Sequence, residues 1–138
     1  MKNKIISWIK QRVKDSGAKG IVLGLSGGID SAVAAALAKA AVGKNNLLVL
    51  FMPCNSVAQD LKDAKLVAYK LGLKFKLVDL SVVYNNFLKV LPGAISLARG
   101  NLKPRLRMSA LYYFANKLNY LVCGTGNKSE LLVGYFTK

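Results

Sequence analysis

Eight residues in the first quarter of the chain combine glycine, serine and one acid in a pattern that suits anion binding. Residues 24–31 read GLSGGIDS and lie between an apolar stretch and an alanine-rich one. Glycines can adopt positive φ and bring backbone N–H groups close to a ligand, and serine hydroxyls add further donors. A helix that starts here would point its positive end at the same ligand. The pattern predicts an anion-binding loop. It lacks the Gly-Lys-Ser/Thr ending of a Walker A loop and the spacing of the dinucleotide GxGxxG motif.

Asp30 is the one negative charge in a loop that otherwise suits phosphates. An acid in the first turn of a helix is favoured by the helix dipole, which is one interpretation. The other is that the carboxylate binds a Mg²⁺ ion that accompanies the phosphates, since this hard cation prefers oxygen ligands. The residues alone leave both interpretations open.

The composition of the chain indicates an anionic partner. The 138 residues carry 21 Lys and Arg against 6 Asp and Glu, a formal net charge of +15. Scattered lysines on a solvated surface would explain part of this charge, and a nucleic acid or a nucleotide would explain the rest. Arg99, Arg105 and Arg107 cluster in the sequence. Arginine is suited to forked contacts with phosphate and carboxylate.

Other features of the chain exclude whole classes of chemistry. There is no histidine, and the two cysteines, Cys54 and Cys123, are far apart in sequence, which argues against a zinc site and against a histidine base. Both cysteines follow apolar runs and are predicted to be structural. No apolar run is long enough to span a membrane or act as a signal peptide. The first residues predict instead an amphipathic helix with Ile5, Trp8, Ile9 and Val13 on one face, in a cytoplasmic protein.

The periodicity of the chain predicts a single α/β domain over residues 1–138. Apolar runs of strand length alternate with helical patterns, which is typical of a Rossmann-like doubly wound parallel sheet. In such sheets ligands bind beyond the carboxyl ends of the strands, where the Gly/Ser-rich turns 24–31 and 124–129 would lie. We predict strands at 20–26, 46–53, 75–80 and 120–125, helices at 30–42, 56–72, 82–91 and 105–118, and a loop with a short helix over 94–107.

Residues SGGIDS after a buried strand resemble the pyrophosphate-binding loop of the N-type ATP pyrophosphatases, which have an adenine nucleotide alpha-hydrolase-like fold. Further stretches are similar, in order and spacing, to the ammonia-dependent NAD synthetases. They are MPCNSVAQDLKDAKLVA (52–68), GNLKPRLRM (100–108), GTGNKSE (124–130) and GYFTK (134–138). The similarity extends over essentially the whole chain.

This resemblance implies that the protein amidates deamido-NAD with ammonia, through an acyl-adenylate that is formed from ATP with release of pyrophosphate. It implies a homodimer with Mg²⁺ as cofactor and no membrane or nucleic-acid partner. Arg105 and Lys138 would bind deamido-NAD, and Asp30 and Glu130 would bind Mg²⁺. The residues that would bind ATP are Gly24, Leu25, Ser26, Gly27, Gly28, Ile29, Asp30, Ser31 and Thr125.

Simpler interpretations of these residues also exist. Glu130 lies three positions after Asn127, so its role could be simply that of a helix cap. It is, however, the single glutamate of the chain. Arg105 and Arg107 could form the solvated face of a helix. Thr125 could be an ordinary turn residue, and Lys138 is the last residue.

Members of the family continue beyond GYFTK, so the resemblance predicts a domain that lacks its C-terminal part. No glutaminase domain precedes residue 1, which favours free ammonia as the nitrogen source. Two other functions compete with NAD synthesis. One is a related pyrophosphatase that modifies tRNA, which the basic charge would suit. The other is a nucleotide-binding or nucleic-acid-binding module without catalysis.

Overall fold

The computed structural model describes residues 1–93 and 95–126. Four strands form one parallel sheet in the order β3-β2-β1-β4: β1 (Gly20–Gly24), β2 (Leu47–Phe51), β3 (Lys74–Leu77) and β4 (Tyr120–Cys123). Five α-helices accompany them: α1 (Lys2–Ser16), α2 (Ile29–Val42), α3 (Ala58–Leu71), α4 (Ser81–Val90) and α5 (Ser96–Leu118). A 3₁₀ turn covers Lys44–Asn46. The predicted doubly wound α/β class is confirmed.

Side chains of β1 alternate between two apolar layers, because successive residues of a strand point to opposite faces. Ile21 and Leu23 pack with α1, α2 and α3 on one face. Val22, between them, packs with α4 and α5 on the other. All three are at most 2% exposed. A strand covered on both faces reads as a continuous apolar run, which explains why residues 20–24 show no alternation in the sequence.

Chain order reverses between β1 and β4. From β1 the chain moves to β2 and β3 on one side, and β4 then pairs with β1 on the other side. At such a switch point the loops that follow the two central strands diverge and leave a crevice. The loops after Gly24 and Cys123 are the two that flank this crevice, as the sequence predicted.

The predicted apolar face of α1 is only partly correct. Val13 is buried and Ile9 packs against the core, but Trp8 is 61% exposed and Ile5 is 38% exposed. The indole of Trp8 lies under the guanidinium of Arg12, at 5.7 Å from the ring centroid, as a cation–π pair. Most residues of the first two turns of the helix are exposed, whereas Ile6 and Ile9 are half-buried.

The loop with a short helix predicted over 94–107 is wrong, because Ser96–Leu118 is one helix with Pro104 inside it. Proline removes one intrahelical hydrogen bond and normally ends or kinks a helix, so a continuous helix here needs support from tertiary contacts. Leu102 and Leu106, on either side of Pro104, pack into the core layer of α4 and α5. The hydroxyl of Tyr84 donates to the carbonyl of Arg99 at 3.2 Å. This tertiary packing overrides the local preference.

Part of the basic charge lies on an exposed sheet edge. Lys74 and Lys76 are exposed residues of β3, which is an outer strand of the sheet. Lysines on such a strand discourage pairing with another chain. None of the helices in residues 1–93 and 95–126 is long and apolar enough to cross a membrane.

Candidate nucleotide-binding site

Hydroxyl groups hold the loop after β1 in one conformation. Ser31 is 3% exposed, and its Oγ donates to the carbonyl of Gly28 at 3.0 Å and accepts the N–H of Ser26 at 3.1 Å. The Oγ of Ser26 lies 3.0 Å from that of Ser31 and accepts the N–H of Gly28 at 3.2 Å. A hydroxyl has one proton, so Ser26 must donate to Ser31. The sequence predicted these serines as ligand donors, and the structure shows that they order the loop.

Removing the Ser31 hydroxyl should loosen this loop. We expect Ser31→Ala to lower the free energy of unfolding by about 1–2 kcal/mol, because the partly buried N–H of Ser26 loses its acceptor. Urea unfolding followed by circular dichroism measures this change. Ser109→Ala is the matched control, since the Ser109 hydroxyl bonds to the Arg105 carbonyl on the exposed side of α5. Equal effects of the two substitutions would contradict the ordering role of Ser31.

Gly27 lies where the loop contacts the first turn of α3. Its φ is +87°, and a Cβ placed on it would lie 3.0 Å from the carbonyl oxygen of Asp60 and 3.2 Å from the Cβ of Asp63. Glycine is therefore required here both by conformation and by space. The contact places Asp60, at the start of α3, beside the anion-binding loop.

A cavity of about 360 Å³ opens at the carboxyl ends of β1, β2 and β4, under α5. Its wall is mainly apolar, and a few polar groups lie among the apolar ones, as is typical of small-molecule sites. The lining residues are Gly24, Leu25, Ser26, Phe51, Met52, Ser56, Asp60, Pro104, Arg107, Met108, Leu111, Val122, Cys123, Gly124 and Thr125.

The structure brings together four of the predicted ATP-binding residues in this wall: Gly24, Leu25, Ser26 and Thr125. The other predicted loop residues, Gly27, Gly28, Ile29, Asp30 and Ser31, lie beside the cavity and do not line it. Ile29 is 76% exposed and Ser31 is buried. The roles of all these residues in binding stay predictions.

The second arginine of the predicted pair reaches the cavity. Arg107 lines it, whereas Arg105 is exposed and donates from Nη1 to the carbonyl of Asn101 on its own helix at 3.1 Å. The role of Arg105 in binding deamido-NAD stays a prediction. Glu130 and Lys138, predicted for Mg²⁺ and deamido-NAD, lie outside the described residues.

Sequence reasoning assigned no role to Met52, Ser56, Asp60 and Met108, which the structure places in the wall, and it noted Arg107 only as a member of the arginine cluster. The signals that could have found them were the strand end at Pro53 and the arginine cluster. A strand end predicts where ligands bind but does not indicate which side chains of the next helix turn inward.

Asp30 suits a magnesium ion bound mainly by a ligand. It is exposed in the first turn of α2, next to the anion-binding loop. Mg²⁺ commonly takes one or two protein carboxylates, substrate phosphates and water, so a single carboxylate at this place fits it. Within residues 1–93 and 95–126 no three His, Cys, Asp or Glu side chains form a group that could hold a metal by protein ligands alone.

Both cysteines are partly or fully buried, and burial raises the pKa of each thiol above its ordinary value. For Cys54 the nearby cations Arg107 and Lys103 oppose that rise. A raised thiol pKa agrees with the predicted structural role, since reactive cysteines have lowered values.

Cys123 lines the cavity, and its raised pKa predicts how the rate of its alkylation depends on pH. In a Cys54→Ala variant iodoacetamide should react slowly with Cys123 at neutral pH, and the rate should still rise above the ordinary thiol pKa. The stability that comes from the protonated thiol is fully present below that ordinary pKa and is lost as the pH rises through the native value. Rate constants from mass spectrometry test this expectation. A midpoint below the value for free cysteine would contradict it.

The fold and the site together define an α/β protein with a cavity of about 360 Å³ and a Gly/Ser-rich loop at the switch point of a parallel sheet. The NAD synthase family model matches residues 1–138. The chain belongs to the NAD synthase family.

Individual relatives agree with this assignment. The chain is 50% identical over 138 residues to the NH(3)-dependent NAD(+) synthetase of Pyrobaculum aerophilum, covering 97% of this chain and 52% of that protein. The structure of the NH3-dependent NAD synthetase of Campylobacter jejuni, in complex with nitrate, superposes with a TM-score of 0.93 at 41% identity, covering 99% of this chain and 59% of that one. The glutamine-dependent NAD+ synthetase of Acinetobacter baumannii, in complex with ADP, gives 0.91 at 34% identity, with 97% and 26% covered. The chain thus spans about half the length of the curated relatives it matches.

Proposed function

We propose that the protein catalyses the ATP-dependent amidation of deamido-NAD with ammonia, giving NAD, AMP and pyrophosphate. The observation that carries this proposal is the Gly/Ser-rich loop of residues 24–31 beside a cavity of about 360 Å³ at the carboxyl ends of the strands. Membership of the NAD synthase family supports it, as does the ADP present in the Acinetobacter baumannii relative. A tRNA-modifying enzyme and a non-catalytic module are not favoured by these comparisons.

The reaction proceeds in two steps, adenylation and amidation. A carboxylate oxygen of deamido-NAD attacks the α-phosphorus of ATP, and the bond to pyrophosphate breaks. Ammonia then attacks the acyl carbon, AMP leaves with the carboxylate oxygen, and the added nitrogen loses a proton to solvent. The first step concentrates negative charge on the phosphates, so donors fixed in advance stabilise its transition state.

The described residues suit this demand. The loop ordered by Ser26 and Ser31 would bind the leaving pyrophosphate through backbone N–H groups and the N-terminal end of α2. Asp30 would hold Mg²⁺, which supplies positive charge to the phosphates when bound. The apolar wall around Met52 and Leu111 would enclose the adenine base.

An isotope experiment tests the two-step reaction directly. The full-length protein is incubated with ATP, Mg²⁺, ammonium and deamido-NAD labelled with ¹⁸O in the nicotinate carboxylate. We expect equal amounts of NAD, AMP and pyrophosphate, with ¹⁸O in the phosphate of AMP, as measured by mass spectrometry. Unlabelled AMP would exclude the acyl-adenylate, and AMP release without NAD would overturn the function.

We also propose that the protein acts as a homodimer. The support is an exposed apolar surface on α4 and the start of α5, formed by Val82, Val83, Phe87, Val90, Ile95 and Leu97. Exposed apolar patches of this kind commonly mark interfaces. Light scattering on the full-length protein should give twice the mass of one chain, and Phe87→Glu should lower it to one. The cytoplasmic location expected from the sequence stays a prediction.

A further inference from the structure

Arg107 connects two walls of the cavity. Its Nε donates to the carbonyl oxygen of Met52 at 2.9 Å, and its Nη2 lies 3.5 Å from the Oγ of Ser56. These bonds link α5 to the turn that follows β2, across 55 residues of sequence. The bond to Met52 has the usual length of an N–H···O bond and is partly buried, so it orients the guanidinium. The contact with Ser56 is at the limit of hydrogen-bond distance, so it adds little.

The guanidinium has donors left for a ligand. An arginine side chain carries five N–H donors in a planar fork, and these contacts use two of them. Arg107 lines the cavity with Ser56 and Asp60. Within the described residues it is the only basic side chain in the lining. The remaining donors therefore belong to a fixed cation at the cavity wall, which is a good partner for an oxyanion.

Helix geometry explains why only one arginine of the pair can take this role. Residues two apart on an α-helix are rotated by about 200° around its axis, so Arg105 and Arg107 leave α5 in nearly opposite directions. The Nη1 of Arg105 bonds to its own helix at Asn101, outside the cavity lining. The Nε of Arg107 bonds to Met52 on the sheet side.

We propose that Arg107 binds an oxyanion of the ligand that occupies the 360 Å³ cavity, with its Nε held by Met52 so that the outer donors are presented in a fixed orientation. The inference rests on the proposed function for the identity of that ligand. Two sources share the required chemistry: a phosphate of ATP and the nicotinate carboxylate of deamido-NAD. Both can accept two parallel N–H bonds from the fork.

Calorimetric binding to the full-length protein separates these sources. We compare wild type with Arg107→Gln, using ATP against adenosine and deamido-NAD against NAD. If the oxyanion is a phosphate, the variant should bind ATP about 10-fold more weakly and adenosine equally well. If it is the carboxylate, deamido-NAD should lose about the same factor and NAD should not. Arg107→Lys, which keeps the charge but not the fork, should recover part of the lost affinity.

Lys103→Gln is the matched control, because it removes a cation one turn earlier on the same helix. The Nζ of Lys103 lies 5.3 Å from the Tyr84 ring centroid, and the residue does not line the cavity. The affinities of Lys103→Gln for these ligands should equal those of wild type. The proposal is overturned if Arg107→Gln leaves both anionic ligands bound normally while its melting temperature falls, since Arg107 would then only connect the walls. An equal loss for adenosine would overturn it as well.

Failure of the proposed function would look different. In that case the wild type itself would bind neither ATP nor deamido-NAD. Inorganic pyrophosphate then serves as an independent probe of the oxyanion site. Weaker binding of pyrophosphate to Arg107→Gln than to wild type would support the inference on Arg107, and equal binding would overturn it.

Discussion

Asp30→Asn is expected to lower the rate of NAD formation by about 100-fold or more while the protein stays folded. The substitution keeps the shape of the side chain and removes its charge. Asp30 is exposed at the first turn of α2, so no core contact depends on it. If the carboxylate holds Mg²⁺ against the ATP phosphates, its loss weakens the charge stabilisation that phosphoryl chemistry needs. The rate is measured at saturating ATP over a series of Mg²⁺ concentrations.

The control for this prediction is Asp15→Asn. Asp15 is an exposed acid on α1 that accepts a hydrogen bond from the Nε2 of Gln11 at 2.6 Å. Losing one negative charge there should leave both the rate and the Mg²⁺ dependence unchanged. A wild-type rate for Asp30→Asn would exclude Asp30 as a metal ligand. It would leave the interpretation as a first-turn acid that stabilises the helix.

Gly27→Ala is expected to reduce ATP affinity about 10-fold and the free energy of unfolding by about 2–4 kcal/mol. Two costs combine at this position. The φ of +87° strains any residue with a Cβ, and that Cβ would lie 3.0 Å from the backbone oxygen of Asp60. Because a backbone atom of α3 cannot move aside cheaply, the loop must shift away from its anion-binding conformation. Calorimetry and urea unfolding measure the two effects.

Gly17→Ala separates strain from crowding. Gly17 ends α1 with a φ of +71°, and nothing lies within 4 Å of a Cβ placed there. This variant should show only the backbone cost, about 1–2 kcal/mol, with unchanged ATP affinity. If Gly27→Ala were no more damaging than Gly17→Ala, the contact between the loop and α3 would have no energetic weight.

Local patterns sufficed to predict most of the architecture. The ends of α2 and α3 were predicted at residues 42 and 72, and the helices end at Val42 and Leu71, where Gly43 and Gly72 have positive φ and donate to the last carbonyls. A strand was predicted at 20–26, and β1 covers Gly20–Gly24, with Ile21, Val22 and Leu23 buried. These features depend on propensity, capping and periodicity, which act over a few neighbouring residues.

The predictions failed where distant residues decide the outcome. A loop with a short helix was predicted over 94–107, yet the packing of Leu102 and Leu106 keeps α5 continuous through Pro104. Trp8 fits the apolar face of α1 by spacing, but it is 61% exposed and its ring pairs with Arg12 of the same helix. Periodicity shows which residues share a face. Periodicity does not show which residues of that face the rest of the protein covers.

The sequence by itself determined the order of strands and helices, the Gly/Ser-rich turn between β1 and α2 and the family of the chain. Only the tertiary structure decided which arginine faces the cavity and which residues form its wall. The physical reason is that the residues of the loop are neighbours in sequence. The cavity instead brings together residues from four separate segments: Ser26, Met52, Arg107 and Thr125. Their proximity follows from sheet order and from the rotation of α5, and neither is encoded in any short stretch of sequence.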